Sequence, residues 1–258
     1  MKNIIKGTEP SLLLQYRQCS PNNSWEHFQR TRRKSSRRHE VKNAITSDQG
    51  GICAYCEIDL KEADSNGNAD FRVEHFHPKS DNSTSHNWHL DWQNLLGCCH
   101  GGSQHGVVDS AKRFSSPDHS CDVPKGDKNL TGKILNPLQL PAFPPVFSCS
   151  RTTGELSVNE QNCQKHGISV ALANNTIIDL RLDADRLKSF RSTVLNDLNE
   201  RLQAYSRAGM DIGVARQHLA AALLNKNSKG HWPPFFTAIR SFLGQDAEQH
   251  LRNTGYSG

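Results

Sequence analysis

Residues 71–78 read FRVEHFHP, and the candidate chemistry of this chain is grouped around them. Their aromatic and β-branched members predict a short strand that ends in a turn at Pro78. Glu74 and His75 are neighbours near the end of that strand. Adjacent side chains of a strand point to opposite faces, so one of the two can hold a metal ion while the other faces water, provided that the strand bends there.

A pair of cysteines precedes this strand in ICAYCEIDL, residues 52–60. The Cys53-Ala-Tyr-Cys56 spacing predicts a tight turn that directs two sulfurs to one side, where they can bind a tetrahedral Zn²⁺ ion. A thioredoxin-like redox pair has the same spacing, but it needs a βαβ context and a helix after the first cysteine, and the sequence predicts neither. The pattern therefore favours a structural zinc site.

Such a zinc site needs two further ligands, and we expect Cys99 and Cys121 to supply them. The exact fourth ligand stays open from sequence, because several other sulfur and imidazole groups compete for it: Cys98, His100, His105 and His119. The remaining cysteines lie apart from this group and are interpreted as buried or spare thiols: Cys19, Cys149 and Cys163.

The composition limits the class of protein. The chain has 258 residues, enough for one sizeable domain or two modest ones. It contains no run of about 18 apolar residues that could span a membrane, and its first residues lack the features of a signal peptide. We therefore expect a cytoplasmic protein with no membrane partner, in which closely spaced cysteines bind metal more often than they form disulfides.

The net charge of +5 is compatible with a polyanionic partner. Between positions 30 and 38 there is no acidic residue, and the cations there are Arg30, Arg32, Arg33, Lys34, Arg37 and Arg38. Charge runs usually form solvated helix faces. This run lies immediately upstream of the candidate site, so we favour contact with nucleic-acid phosphates by the following residues: Arg32, Arg33, Lys34, Arg37 and Arg38.

Three segments are predicted along the chain: a basic helical segment at 1–49, a core with the candidate site at 50–137, and a mainly helical region at 138–258. In the last of these, apolar residues that recur every three or four positions predict a long helix over 183–205. Residues 147–158 predict a small hairpin.

Local signals predict several smaller elements. Residues 1–23 are expected to be irregular. Ser24 is the predicted N-cap of a helix that Ser35-Ser36 could divide and that Gly50-Gly51 ends. Further expectations are a loop at 61–70, a short helix at 88–97 and a last strand at 133–137.

The motifs follow one another in the order Cys53-x-x-Cys56, Glu74-His75, Asn94, Cys99 and Cys121-Asp122-x-x-Lys125-Gly126. This order resembles the HNH endonuclease superfamily with a cysteine–zinc knuckle. More narrowly, CAYCE, VEHFHPKS, WQNLLGCC, CDVPKGD and LNP resemble the nuclease subunit (PtuB) of the Septu anti-phage systems, which also occurs with retrons. The likeness covers residues 50–137 and, less specifically, parts of the C-terminal region.

The chain departs from the family pattern at one place. The simplest members have a second closely spaced cysteine pair, whereas a long insertion separates Cys99 from Cys121. The family pattern favours Cys99 over its neighbours because Cys99 follows Asn94 at the spacing that the pattern shows.

The resemblance implies an α+β fold with a zinc-stapled ββα-metal (HNH) core, a basic N-terminal helix and a mainly helical C-terminal region. His75 is the expected general base, since an imidazole with a pKa of about 6.5 can activate water near neutral pH. Glu74 and Asp122 are the expected ligands of a catalytic divalent metal, and carboxylate oxygens favour Mg²⁺ or Mn²⁺.

Three more residues receive roles by resemblance. Asn94 would orient the loop that bears the histidine, or reach the metal. Lys125 would meet a phosphate. His77 lies two positions after His75, and both a catalytic and a structural role remain open for it.

The leading hypothesis is a metal-dependent DNA endonuclease that acts in phage defence. The resemblance also implies a partner, an ABC/SMC-type ATPase (PtuA-like), for which the C-terminal helices are the expected docking surface. The alternatives are a zinc knuckle that binds nucleic acid without cleaving it, an effector that cleaves RNA including tRNA, and a subunit with a degenerate nuclease fold. Glu74-His75 together with Asp122 and Lys125 favours an enzyme, because a binding finger has no need of them.

Overall fold

The computed structural model of the protein describes residues 1–30, 34–63, 69–103 and 118–258. Runs of helices and pairs of short strands follow one another within these ranges, which confirms the expected α+β class. Some residues predicted for the site lie outside the described residues: Arg32, Arg33, His105 and the side chain of Lys34.

Helices make up most of the regular structure. They are α1 (Ser11–Cys19), α2 (Trp25–Arg30), α3 (Lys34–Gln49), α4 (Asp122–Lys125), α5 (Glu160–Lys165), α6 (Val170–Asp179), α7 (Asp185–Arg207), α8 (Ile212–Leu223), α9 (Phe236–Leu243) and α10 (Gln245–Asn253). The strands are β1 (Lys61–Ala63), β2 (Ala69–Asp70), β3 (Arg72–His75), β4 (Leu95–Cys98), β5 (Phe147–Cys149) and β6 (Leu156–Val158). Consecutive strands pair as antiparallel two-stranded sheets, β1 with β2, β3 with β4 and β5 with β6.

Helix α1 contradicts the expectation that residues 1–23 are irregular. Its first backbone N–H groups are capped by a residue of α3: the Glu40 carboxylate accepts hydrogen bonds from the N–H of Ser11 at 3.1 Å and of Leu12 at 2.9 Å. Leu13 and Tyr16 then bury one face of the helix. Local sequence does not reveal this helix, because the group that satisfies its first turn comes from elsewhere in the chain.

The predicted basic segment forms α2 and α3. Ser24 caps α2 as predicted, since its hydroxyl accepts a hydrogen bond from the His27 N–H at 3.3 Å. The expected division at Ser35-Ser36 is wrong: α2 ends at Arg30, and the serine pair lies inside α3.

The end of α3 is tied to the hairpin of β3 and β4. Gly50 and Gly51 end the helix as predicted, with φ of 64° and 73°, a conformation that favours glycine. Just before them, the buried Gln49 amide accepts a hydrogen bond from the Gly97 N–H at 2.6 Å and donates to the carbonyls of Gly97 at 2.9 Å and Ile52 at 2.8 Å. One side chain therefore joins α3, β4 and the start of the cysteine turn.

The hairpin of β3 and β4 carries the candidate site. Strand β3 matches the prediction, and His75 at its end lies opposite Leu95 of β4. The short helix expected at 88–97 is wrong, because only Trp92–Asn94 forms a helical turn, of the 3-10 type. The residues of β4 are all buried, and their backbone groups pair with β3 or, at Gly97, with Gln49 and Ala54.

Two further segments differ from the expectation. The loop expected at 61–70 contains β1 and β2, which form a short irregular pair. The strand expected at 133–137 is reduced to a single bridge between Thr131 and Ile134, followed by a 3-10 turn that begins at Pro137. Proline has no N–H to donate to a strand ladder, which explains why the strand does not continue.

The C-terminal region confirms the predicted hairpin and helices. Strands β5 and β6 form the hairpin, and α7 buries a leucine-rich face. The region packs on the core partly through Glu57, which directly follows the cysteine turn. The Glu57 carboxylate accepts hydrogen bonds from the Thr237 N–H at 2.7 Å and the Thr237 hydroxyl at 2.6 Å, at the start of α9.

Buried apolar side chains from all three segments form one cluster, to which Ile45, Leu95 and Phe236 belong. Among the described helices, none combines the length and the apolar character that crossing a bilayer would need.

A methyl group at Gly97 tests how closely α3 approaches β4. A Cβ atom there would lie 2.6 Å from the Ile45 side chain and 3.1 Å from those of Leu60 and Phe71. We expect Gly97→Ala to lower the free energy of unfolding by about 1–3 kcal/mol, because the packed core must shift. Gly213→Ala in α8 is the control and should be neutral or slightly stabilising, since alanine favours helices. Urea denaturation compares the two variants, and equal stabilities would contradict the close approach.

Candidate functional site

Four cysteine sulfurs meet between the turn at 53–56, the end of β4 and the start of α4. The Sγ–Sγ distances are 3.9 Å for Cys53–Cys121, 3.6 Å for Cys56–Cys99 and 3.7 Å for Cys99–Cys121. A Zn–S bond of about 2.3 Å places the sulfurs of a tetrahedral site roughly 3.8 Å apart. The spacing therefore fits one tetrahedral ion, and these four cysteines could hold zinc.

The other candidate ligands stand outside this group of four in the described part of the chain. Cys98 is buried beside Cys53 but belongs to the hairpin core. The His100 Nε2 atom lies 2.8 Å from the Asp70 carboxylate, which occupies that ring nitrogen. The structure thus brings together the ligand set that the sequence favoured.

Hydrogen bonds to the C-terminal region hold the segment that carries Cys121 in place. Cys121 has φ of 64°, a left-handed conformation that costs a non-glycine residue free energy. Its N–H donates to the Leu180 carbonyl at 2.8 Å, and Arg186 donates to the Ser120 hydroxyl at 3.0 Å. The contacts of α6 and α7 therefore hold the fourth sulfur beside the turn at 53–56.

His75 is buried at the end of β3, with its ring 5.4 Å from the Trp25 ring of α2 in an edge-to-face arrangement. Its Nε2 atom lies 3.1 Å from the carbonyl oxygen of His89. Because a carbonyl oxygen only accepts hydrogen bonds, Nε2 carries the proton, and Nδ1 is the basic nitrogen of the neutral ring. Burial lowers the pKa of His75 to about 4, so the ring is neutral near pH 7.

Asn94 holds the backbone on both sides of the turn after β3. Its Oδ1 atom accepts a hydrogen bond from the His77 N–H at 2.7 Å, and its Nδ2 atom donates to the carbonyls of His77 and Trp88, each at 2.9 Å. These contacts are of the kind expected for a residue that orients the histidine-bearing loop.

Lys125 is directed into the protein. Its Nζ atom lies 2.7 Å from Glu74 Oε1 and donates to the His75 carbonyl at 3.0 Å. The residue is only 1 % exposed. These contacts lie inside the protein, and the expected contact between Lys125 and a phosphate stays a prediction. Its observed contacts connect Glu74 with the backbone of His75.

The two candidate metal ligands each keep a buried oxygen without a hydrogen bond to a described residue, Glu74 Oε1 and Asp122 Oδ1. Glu74 Oε1 lies near Lys125 Nζ, but not at a hydrogen-bonding angle. The other oxygen of Asp122 pairs with Arg72 Nε at 2.6 Å. The charge of Asp122 also acts on Glu74 and contributes to its raised pKa. Hard oxygen donors with unfilled lone pairs fit Mg²⁺ or Mn²⁺, so these residues suit the expected divalent ion.

Electrostatics support the same assignment. Burial raises the pKa of Glu74 to about 7, against the opposing effect of Lys125. Burial also raises the pKa of Asp122 to about 6, against the opposing effect of Arg72. A divalent cation between them would favour the charged form of both carboxyl groups.

His77 faces a cavity of about 320 Å³. Its Nδ1 and Nε2 atoms each make a 2.8 Å contact, with the Thr131 hydroxyl and the Asp81 carboxylate respectively, and its ring stacks on Trp88 with centroids 3.9 Å apart. Since both nitrogens and one ring face are engaged, these contacts favour the structural role for His77.

The basic run is only partly available to a ligand. The Arg37 guanidinium packs over the Tyr16 ring at 4.4 Å and the Phe28 ring at 5.4 Å. It therefore has a packing role in the N-terminal helices that the charge pattern did not indicate. Arg38, the next residue, is partly exposed on α3.

Sequence reasoning missed Arg72, Tyr55 and the carbonyl of His89. Arg72 lies two positions before Glu74, so strand periodicity could have placed its side chain on the same face of β3. Tyr55 stands between two metal-ligating cysteines and is fully buried. The carbonyl of His89 carries no sequence signal, because any residue would supply one.

Comparison with known proteins supports the assignment that this geometry suggests. No protein-family model matches the chain. The chain is 35 % identical over 217 residues to an Escherichia coli protein whose name is "Retron Ec83 putative HNH endonuclease", and the similarity covers 77 % of this chain and 81 % of that protein. Similarity at this level over most of both chains shows common family membership. The chain belongs to the HNH endonuclease family.

Proposed function

We propose that this endonuclease hydrolyses DNA phosphodiester bonds with a catalytic divalent metal, and that it is the nuclease effector of an anti-phage defence system. The observation that supports the chemistry most directly is the His75 ring. Its Nε2 atom donates to the His89 carbonyl, which leaves Nδ1 as the basic nitrogen, and the strand that carries it also carries the buried carboxylate of Glu74.

His75 is the proposed general base, and it takes the proton of the attacking water at Nδ1. The hydrogen bond from Nε2 to the His89 carbonyl holds the required tautomer and fixes the ring plane. Because burial keeps the pKa of His75 at about 4, the basic form is present at neutral pH. Asn94 fixes the backbone at His77, and so limits movement of the strand end that carries the base.

Glu74 and Asp122 would hold the divalent ion through their unfilled oxygens. When bound, the ion supplies positive charge to the phosphoryl oxygens and to the departing 3′ oxygen. Lys125 ties Glu74 to the His75 backbone, which keeps the base and this ligand at a fixed separation. The Arg72 side chain is 47 % exposed, so it can leave Asp122 without opening the core.

The four-cysteine cluster is proposed to bind a structural zinc ion. Four sulfur ligands leave no open coordination position, which is typical of structural rather than catalytic zinc. The ion would join the turn at 53–56 to Cys99 and Cys121, and the segment after Cys121 delivers Asp122 and Lys125 to β3.

The substrate and the partner are also proposals. The E. coli relative is named as a retron protein, which supports a role in defence. A controlling ABC/SMC-type ATPase (PtuA-like) is proposed from the resemblance of the sequence motifs to the Septu nuclease subunit. Exposed apolar side chains on the C-terminal helices support a docking surface there, and they include Ile178, Phe190, Ile212 and Val214. DNA of phage or host is the proposed substrate, and the net charge of +5 is compatible with it.

Replacing His75 tests the proposed base. We expect His75→Ala to slow cleavage of plasmid DNA by about 10²–10⁴-fold with Mg²⁺ or Mn²⁺, because the attacking water loses its proton acceptor. His166→Ala, at an exposed position of the C-terminal region, is the control and should retain activity. The assay is run with and without a co-purified ATPase, and on RNA as well as DNA. Full activity of His75→Ala would exclude His75 as the general base. Exclusive cleavage of RNA would contradict the proposal that DNA is the substrate.

Loss of one cysteine tests the zinc site. We expect the purified protein to contain one zinc ion per chain by elemental analysis. Cys53→Ser should lose this ion and unfold at a much lower temperature, because zinc binding in such sites is coupled to folding. Cys163→Ser removes a buried thiol outside the cluster and should retain the ion. Unchanged thermal stability of zinc-free Cys53→Ser would refute the structural role.

Adjacent arginines of α3 are expected to behave differently. Arg38→Ala should weaken DNA binding and reduce the salt dependence of the binding constant by about one released ion, as for a lost phosphate contact. Arg37→Ala should instead lower the free energy of unfolding by about 1 kcal/mol, because its cation–π contacts with Tyr16 and Phe28 are lost. Salt titrations of DNA binding and urea denaturation separate the two effects. An unchanged salt dependence in Arg38→Ala would exclude a phosphate contact there.

A further inference from the structure

The first turn of α2 covers the proposed base and the residue that holds its ring. The Trp25 ring packs edge-to-face on His75, and the Trp25 backbone N–H donates to Nδ1 of His89 at 3.2 Å. The His89 carbonyl in turn lies 3.1 Å from His75 Nε2, and the centroids of the two imidazole rings are 6.4 Å apart. The His89 side chain therefore lies beside the base.

The His89 ring offers a hydrogen-bond donor at this position. Because a backbone N–H only donates, Nδ1 is an acceptor, and the proton of the neutral ring is on Nε2. No described residue accepts a hydrogen bond from this Nε2–H group, and the ring is partly exposed. A water on the base and the phosphorus that it attacks are each about 3 Å from the preceding atom, so the reacting phosphate lies roughly 6 Å from the base. The separation of the two rings is comparable.

The residue after Trp25 is a carboxylate that lies against the same imidazole. Glu26 Oε1 pairs with Lys79 Nζ, and Glu26 Oε2 lies 3.8 Å from His89 Nδ1. The side chains of Lys79 and Glu26 are 32 % and 41 % exposed, whereas His75 is buried. A lysine thus holds an anionic group against an imidazole, at the surface next to the proposed base.

Another lysine provides an internal comparison. Lys188 is similarly exposed, at 28 %, and it pairs with Asp185 at 3.0 Å and Glu155 at 3.9 Å. Both partners belong to the C-terminal region and not to the proposed site. Exposed ion pairs contribute little free energy and are common, so a paired lysine is not by itself a sign of function. The contact of its partner with His89 is what sets Lys79 apart.

We propose that Lys79 Nζ and the Nε2–H group of His89 bind a backbone phosphate of the DNA substrate beside the base, and that Glu26 competes with this phosphate for Lys79. This inference rests on the proposed role of His75 as the general base. Carboxylate and phosphate oxygens both accept charge-assisted hydrogen bonds from an ammonium group, so one can replace the other. Because the pair is exposed, a phosphate can displace Glu26 at small cost.

The matched substitutions Lys79→Ala and Lys188→Ala test the subsite, since each removes one partly exposed, ion-paired lysine. Binding of a fluorescent DNA duplex is measured over a series of KCl concentrations, without Mg²⁺ or Mn²⁺ so that the duplex stays intact. We expect Lys79→Ala to weaken binding by about 5–10-fold at about 0.1 M salt, and to reduce the salt dependence by about one released ion. Lys188→Ala should bind as the unaltered protein does. Equal binding by Lys79→Ala and the unaltered protein would overturn the subsite.

Glu26→Gln tests the competition and should act in the opposite direction. We expect it to tighten DNA binding by about 2–5-fold, because the carboxylate that competes for Lys79 is lost. Loss of an acidic charge near DNA would also favour binding at long range, and the double variant Glu26→Gln/Lys79→Ala separates the two causes. The gain should disappear when Lys79 is absent. A gain of the same size in both backgrounds would contradict competition for Lys79.

His89→Asn tests the second donor. The asparagine Oδ1 atom can accept the Trp25 N–H in place of Nδ1, and the backbone carbonyl that holds His75 is kept, but the Nε2–H donor is lost. We expect KM for DNA cleavage to rise by about tenfold, and to change more than kcat does. A lower kcat at unchanged KM would show that the ring acts through His75 and would overturn its role as a phosphate ligand.

A footprint on the unaltered protein covers the case in which a variant does not fold. Bound duplex should protect Lys79 from acetylation by acetic anhydride, measured by mass spectrometry of proteolytic peptides, while Lys188 stays equally reactive. Equal acetylation of Lys79 with and without bound DNA would overturn the subsite.

The outcomes separate this inference from the proposed function. The binding and footprinting measurements omit the divalent ion, so they do not depend on cleavage. If DNA protects Lys79 but is not cleaved with Mg²⁺ or Mn²⁺, the proposed reaction fails and the phosphate contact stands. If cleavage depends on His75 while Lys79→Ala binds DNA normally, the subsite fails and the nuclease mechanism stands.

Discussion

The meeting of four cysteine sulfurs is the contact on which the candidate site depends. It joins the turn at 53–56 to two other segments, one that follows β4 and one that leads into α4. Because Asp122 is the residue after Cys121, the position of the fourth sulfur also sets the position of the second carboxylate. The sulfurs are at contact distance from one another, and a tetrahedral cation among them would bond all four.

Each buried carboxylate of the site is paired with a cationic side chain and also has an oxygen that accepts no hydrogen bond from a described residue. Lys125 is placed beside Glu74, and Arg72 beside Asp122, so neither carboxylate is an isolated buried charge. Each carboxylate nevertheless keeps one oxygen without a hydrogen bond to a described residue. The ion pairs stabilise the carboxylates without a cation, and the remaining oxygens suit the proposed divalent ion. The burial that raises the pKa of both carboxyl groups also makes cation binding more favourable.

Segments outside the hairpin hold these groups in place. The N-terminal helix α2 covers the His75 ring with Trp25, and the C-terminal region holds Cys121 through Leu180 and fastens Ser120 through Arg186. A small hairpin with one short helix has little core of its own, so it gains rigidity from neighbours. The C-terminal region is therefore part of the structural support of the site, in addition to any partner that its exposed apolar side chains bind.

The sequence by itself determined the order of the motifs, the first cysteine pair, the strand that carries Glu74 and His75, and the C-terminal helices, because each depends on local spacing or periodicity. Only the tertiary structure decided that β4 is a strand, that α1 is capped by Glu40, and that Lys125 is buried against Glu74. It also decided which cysteines complete the group of four sulfurs. These features arise from contacts between residues far apart in the chain, and local propensity carries no information about which distant group will satisfy a backbone amide or a buried charge.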